Sequence, residues 1–376
     1  TACMLGSFFG GGWSKKLGIR FTYRAVLFAR AAIWTALAML YDPVAGTIAL
    51  TALIPLFSLD YFFLAIGRVA ENSLQVEWFK DSETASSRFG SLRDAIEYGT
   101  VFIGSAVALA VAAFGFGVVI YPAPVIFAVV ALLALMLKLP QATVANRKPR
   151  PWSEGFKTVF KNAGIYKPLI GFTLITGFLY MMYFIVATAF GAYAAPDPQH
   201  AAAIAGSLTG IYGIGALLGS IVMDRIAAGI AKLSSALPKN ARKKEERRLY
   251  ALSAARVMPW AAAALLGAWA FMSTATLGTL LWPLFPISIA LLAIGFTAQL
   301  ASIHLDTIMK SNIPKAKKDM TVGAIRALIY LAYVFGFLLW GGLFALFGTT
   351  TFVLFAAFCT VVAGVYLWLA RSVSGA

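Results

Sequence analysis

The chain has 376 residues, of which 60% are hydrophobic and only 12% are charged, and its mean hydropathy is +0.81. Soluble domains carry about 25% charged residues, so this composition excludes a water-facing globular surface and points to an all-α polytopic membrane protein. The net charge of +16, from 31 basic and 15 acidic residues, would indicate nucleic acid in a soluble protein. Here the basic residues sit between apolar runs, so they are read as topology signals and no nucleic-acid partner is expected.

A helix needs roughly 20 residues to cross about 30 Å of hydrocarbon. Apolar runs suited to that task fall at about 1–13, 22–41, 44–67, 92–115, 119–138, 168–193, 203–223, 249–271, 277–303, 321–346 and 350–370. The first closes on GGGWSKKLGIR, residues 10–20, where three glycines precede Lys15, Lys16 and Arg20. Gly10, Gly11 and Gly12 remove side chains where helices approach closely. Arg30 lies one to two turns into the second run and is a candidate for an anion.

Asp60 interrupts LIPLFSLDYFFLAIG in the third run. Intramembrane charges are costly and mark paths or internal pairs, and apolar surroundings favour proton exchange at a carboxyl. Asp60 is therefore the leading coupling or substrate residue. Arg68, Glu71 and Gln75 follow at helical spacing and share a face, as do Arg93 and Glu97. These are read as a gate network or as structural ion pairs.

The central link, 139–167, contains Pro149 and Pro151, which oppose a regular helix. Beyond them, Phe156, Val159 and Phe160 alternate with Lys157 and Lys161, consistent with a short amphipathic helix at the inner interface or with a solvated linker. The run at 168–193 contains Tyr180 and Tyr183, which with Tyr330 are candidate hydroxyl donors to a cavity. Asp224 and Arg225 close the next run. Pro283 and Pro286 are expected to distort theirs. His304 and Asp306 end it, with His304 able to titrate near neutrality, and Arg326 follows in the penultimate run.

Lys and Arg are absent from Asp42–Pro43, the Tyr121–Pro122 region, 194–200, 273–276 and 348–350, and they crowd the alternate links. This places the basic loops and the C-terminus in the cytoplasm. Cys3 and Cys359 both fall in apolar runs and read as ordinary buried residues. No metal site and no cofactor are expected.

The two halves echo one another. GGGWSKK is matched by Gly219–Arg225, GRVAENSLQVEWFK at 67–80 by GFTAQLASIHLDTI at 295–308, and FGSLRDAIEYGTVFIG at 89–104 by VGAIRALIYLAYVFG at 322–336. Gly90 pairs with Gly323 and Arg93 with Arg326. Ordered echoes of this kind signal duplicated halves. The expected organisation is an N-terminal bundle at 1–138 with five spans, a cytoplasmic linker at 139–167, and a C-terminal bundle at 168–376 with six. Equivalent six-helix halves place the remaining first helix before Thr1.

With Gly11, Lys15, Lys16, Gly18 and Arg20 after the first run, and Ser220, Asp224, Arg225 and Gly229 in the second half, the sequence resembles the major facilitator superfamily of secondary transporters. Lys15 stands where that motif carries an acid, and Ser220 where it carries glycine. The resemblance implies two six-helix bundles and a gate at the motif, which assigns gating to Gly11, Lys15, Lys16, Gly18, Arg20, Asp224 and Arg225. Arg68, Glu71, Arg93, Glu97, His304, Asp306 and Arg326 are added from their positions.

The expected function is alternating-access transport of a small neutral, singly charged or amphiphilic solute, coupled to protons, by a monomer in the bacterial cytoplasmic membrane. No GxxxxGK[ST] loop is present for an ATP-driven pump, and no enzymatic activity is expected. The alternative is a transporter-like protein in lipid handling or membrane-complex assembly, which the altered Lys15 motif keeps open.

Overall fold

The computed structural model describes residues 2–44, 48–79, 89–97, 117–136, 153–194, 198–234, 257–270, 272–273, 281–314 and 317–372, with isolated positions from 99 to 115. The helices are α1 (Ala2–Leu17), α2 (Ile19–Leu40), α3 (Leu50–Phe79), α4 (89–97), α5 (Gly117–Ile120) and α6 (Pro122–Met136). They continue with α7 (Ser153–Lys161), α8 (Ala163–Phe172), a π-helical segment (Thr173–Leu179), α9 (Tyr180–Ala194) and α10 (Pro198–Ser234). The last four are α11 (Val257–Ala270), α12 (Leu281–Ser311), α13 (Lys318–Phe347) and α14 (Thr351–Ser372). The chain is an all-α polytopic membrane protein.

Seven segments among the described residues are long and apolar enough to cross a bilayer. One of them, Lys318–Val365, has 48 residues, or about 72 Å of helix at 1.5 Å per residue, enough for two crossings. Gly348, at φ 53°, breaks it between α13 and α14. The runs expected at 92–115 and 249–271 fall partly outside the described residues. The run expected at 1–13 extends to Leu17, so Lys15 and Lys16 occupy the last turn of α1. That expected at 44–67 extends to Phe79, because the polar residues after Gly67 remain helical.

The prolines act less than their sequence position implied. Pro283 lies in the first turn of α12, where its missing N–H has no partner to lose, and Pro286 in the second turn forgoes a single bond; the helix runs on without a break to Ser311. The irregularity appears instead at Thr173–Leu179, a π-helical stretch with no proline in it.

The fold divides into two compact units. Unit 1 comprises Thr1–Asp81, Ala110–Tyr166 and Lys310–Leu331; unit 2 comprises Ser82–Leu109, Lys167–Met309 and Ala332–Ala376. Within unit 1, α3 packs against α1 and α2, and α2 against α6. A Cβ at Gly10 would lie 3.1 Å from the Ile66 backbone, and one at Gly11 would lie 2.8 Å from the Asp319 carbonyl, while Gly12 has nothing within 4 Å. Two of the three glycines therefore serve close helix approach. The apolar face of α6 stays open, with Val125, Ile126, Leu132 and Leu133 exposed, as expected of a helix bathed in lipid. In unit 2, α9 packs on α10. Met223, Leu300 and Ile303 form a buried cluster between α10 and α12, and Trp340 Nε1 donates to the Phe178 carbonyl at 3.0 Å. Cys359 is buried and Cys3 half-buried, and both are free thiols.

Candidate functional site

The first candidate site lies within unit 1. Arg30 stands midway along α2, and Asp60 about three turns into α3. Arg30 Nε donates to Asp60 Oδ1 at 2.7 Å and Nη2 donates to Oδ2 at 3.1 Å. The side chains are only 17% and 6% exposed. This is the bidentate fork in which guanidinium and carboxylate bind most strongly. The sequence singles out each residue separately; the structure makes them one pair.

Aromatic rings wall the pair. The Arg30 guanidinium lies over the Phe127 ring of α6, 4.7 Å from its centroid. Trp34, one turn on from Arg30, stacks on the same ring at 5.6 Å, and Phe57 meets Trp34 edge-on at 5.7 Å. The Trp34 Nε1 donor is buried and reaches no acceptor. Three helices thus bring together a charged pair, stacking faces and a spare donor. Nothing in the sequence singles out the three rings, which differ in no local way from the other aromatics of these helices.

A polar layer spans a second part of unit 1 and joins residues from both halves of the sequence. Arg326 Nη2 donates to Asn72 Oδ1 at 3.0 Å. The buried Lys310 Nζ donates to Gln75 Oε1 at 2.5 Å, and Lys318 pairs with Glu77. Arg68 pairs with Glu71 at 3.4 Å, both about a quarter exposed. Gly11 lies against Asp319, and a Cβ at Gly323 would come 2.9 Å from the Ser7 carbonyl, so α1 and the start of α13 meet backbone to backbone. Near them, Lys15 is half-buried and Lys16 exposed at the end of α1, Gly18 at φ 81° turns the chain into α2, and Arg20 is half-buried in its first turn.

Helix α7 straps this layer. A Cβ on Gly155 would overlap the Met320 carbonyl, Phe156 meets Phe8 with centroids 5.6 Å apart, and Glu154 pairs with Lys317 at 3.5 Å. Asn162, the single residue between α7 and α8, accepts from the Gly164 N–H at 2.9 Å and donates to the Asn312 carbonyl at 3.1 Å. It caps α8 and ties the turn to the end of α12. A small apolar notch lined by Phe8, Gly11, Phe156, Met320, Gly323 and Ala324 marks where the three helices meet.

Unit 2 has its own polar layer. Arg93 holds Asp94 through Nη2 at 2.5 Å and Nε at 2.7 Å. Gln299 Nε2 donates to the other Asp94 oxygen at 2.7 Å, and Ser91 Oγ donates to the Ser220 carbonyl at 2.5 Å. Arg68 and Glu71 belong to unit 1, whereas Arg93 and Glu97 belong to unit 2. In α12, His304 is half-buried and Asp306 buried. Arg225 is exposed on α10, and the Asp224 side chain lies outside what the structure describes.

Four tyrosines cluster in unit 2, just after the π-helical segment. Tyr183 stacks on Tyr212 with centroids 3.8 Å apart and planes at 8°. Tyr180 meets Tyr183 at 4.9 Å and stacks on Tyr333 at 5.6 Å. Tyr330, the residue singled out from sequence, lies one turn before Tyr333 on α13 and is half-buried. Among the described residues, no group of three or more His, Cys, Asp or Glu side chains stands close enough to hold a metal ion.

No protein-family model and no curated protein sequence matches the chain. Among solved structures, it is similar to the E. coli fucose:proton symporter FucP, with a TM-score of 0.64 at 14% identity, over 99% of this chain and 88% of that one. At that identity the likeness is one of fold. The chain shares the fold of that structure from end to end.

Proposed function

We propose that the chain is a secondary active transporter working by alternating access and coupled to protons through Asp60. Its solute is small and neutral, singly charged or amphiphilic. The observation that carries this reading is the buried Arg30–Asp60 fork in the middle of two spans. Protonating Asp60 removes the negative partner and leaves Arg30 a buried cation seeking an anion or a solute oxygen. Proton binding and solute binding are then linked through one guanidinium. The proton-coupled chemistry in the name of the similar FucP structure supports the same reading.

The two polar layers supply the gates. In unit 1, α1 and α3 from the first half meet residues 310–326 from the second; in unit 2, α10 and α12 from the second half meet residues 91–94 from the first. Opening on one side separates the sequence halves 1–138 and 168–376 about the linker 139–167. Gly11, Lys15, Lys16, Gly18, Arg20, Arg68, Glu71 and Arg326 make up one latch. Arg93, Glu97, Asp224, Arg225, His304 and Asp306 make up the other. The tyrosine cluster supplies hydroxyls on the second-half side of the route. The working form is a monomer in a cytoplasmic membrane, with the basic loops inside.

The test is accumulation in sealed proteoliposomes under an imposed pH gradient, with a mixed metabolite library read by mass spectrometry. Intact protein should concentrate a solute in a gradient-dependent way, and Asp60→Asn should abolish that dependence. Unchanged accumulation in the variant removes Asp60 from the coupling route. No movement across the library, with folded protein, removes the transport reading.

A further inference from the structure

Helix α7 has two faces, and the latch uses only one. Gly155 and Val159 are buried toward α13 and the unit 1 core, with Phe156 set against Phe8. At 100° per residue the opposite face carries Ser153, Lys157, Phe160 and Lys161, and all four are exposed, Phe160 to 61%. Among the described residues neither lysine pairs with a carboxylate. The one acid of α7, Glu154, is turned to Lys317.

Position along the chain fixes what this face meets. Only Asn162 separates α7 from α8, which opens the span Ala163–Ala194. A helix one residue from the start of a crossing lies at the bilayer surface, and an exposed Phe between two such lysines matches that boundary. The ring enters the acyl edge while the ammonium groups stay among the headgroups. The charge selects the headgroup, because two lysines with no acidic neighbour on their face are complementary to an anionic one.

We propose that the Lys157–Phe160–Lys161 face of α7 is a binding site for anionic phospholipid, and that its occupation holds α7 against the start of α13 and so stabilises the unit 1 latch. The inner face cannot leave Met320, Phe8 and Lys317 without moving the outer face out of the lipid surface, so both attachments act on one rigid nine-residue helix. Lipid bound at the outer face raises the population of the clasped state by linkage. Each lysine near an anionic surface contributes on the order of 1 kcal/mol, so the two together bias the clasp roughly thirtyfold.

The experiment is hydrogen exchange by mass spectrometry on the full chain in nanodiscs, without solute. One set is made of phosphatidylcholine and the other of equal parts phosphatidylcholine and phosphatidylglycerol. Amides of 155–161 and 318–326 should exchange at least several-fold more slowly in the anionic discs. Lys157→Gln with Lys161→Gln should abolish that difference and leave the middle of α2 and α6 unchanged. Soluble glycerol phosphate added to the phosphatidylcholine discs should not reproduce the protection.

Equal exchange in the two lipids overturns the proposal, as does a lipid effect that survives the double substitution. Protection by glycerol phosphate alone identifies a phosphate site and overturns the lipid assignment. Protection confined to 155–161 overturns the link to the latch. The readout needs no transported solute, so it stands or falls independently of the transport assay.

Discussion

Arg30 and Asp60 show what one buried pair demands of its neighbours. Removing either partner leaves an uncompensated charge, which costs about 3–5 kcal/mol. Asp60→Leu alone and Arg30→Met alone should each lower the thermal midpoint in detergent. Together they should recover most of the loss, because a neutral apolar pair is tolerated in this setting. Transport should stay abolished in the double variant, and its return with stability would make the pair purely structural. Trp34 gives a second measurement at this scale. Trp34→Phe keeps the ring against Phe127 and deletes an N–H that has no acceptor, so stability should change by less than about 1 kcal/mol. Trp34→Ala should cost about 3–5 kcal/mol through the lost packing. The sequence exposes Arg30 and Asp60 because a charge inside an apolar run is conspicuous on its own. It does not expose their pairing, since nothing local in residues 30 and 60 states which faces of α2 and α3 meet. The choice of Phe57 and Phe127 as walls is hidden for the same reason.

Among the elements, α7 is only partly readable in advance, because apolar residues at helical spacing between Pro151 and the next span fit a short amphipathic helix and a solvated linker alike. Its docking is not readable, since it rests on Gly155, whose lack of a side chain matters only once Met320 lies against it. Gly155→Leu should wedge α7 away from α13 at a cost of about 1–3 kcal/mol. Amide exchange across 318–326 should quicken by roughly tenfold, and unchanged exchange would show that the latch closes without the strap. At the end of α3 the helix is foreseeable, since Arg68, Glu71 and Gln75 recur at helical spacing, but its partners are not. The apolar run stops at Gly67, yet the helix continues to Phe79 because Asn72, Gln75 and Glu77 find partners on residues 310–326. The π-helical segment at Thr173–Leu179 has no signature in proline or glycine content that separates it from α9.

At the scale of the whole chain, each unit builds one polar layer from residues of both sequence halves. In unit 1, the end of α1 meets Asp319 and Gly323, and the end of α3 meets Arg326. In unit 2, Ser220 of α10 meets Ser91, and Gln299 of α12 meets Asp94. The segments that carry these contacts, 67–80 and 295–308, 89–104 and 322–336, are the ones that echo one another in sequence. The polar layer of each unit thus draws residues from both halves of the sequence, which the order of helices along the chain could not reveal. Charge alternates as well, since links without Lys or Arg separate links that are rich in them, and the orientation this bias predicts can be tested. On a background with Cys3→Ser and Cys359→Ser, a cysteine at Val44 should react with a membrane-impermeant maleimide added to intact cells. A cysteine at Lys161 should react only after permeabilisation. These two positions flank different crossings and both are exposed, so a reversed pattern cannot come from burial. It would invert the whole topology, place α7 at the outer leaflet, and move the polar layer of unit 1 to the opposite side of the membrane.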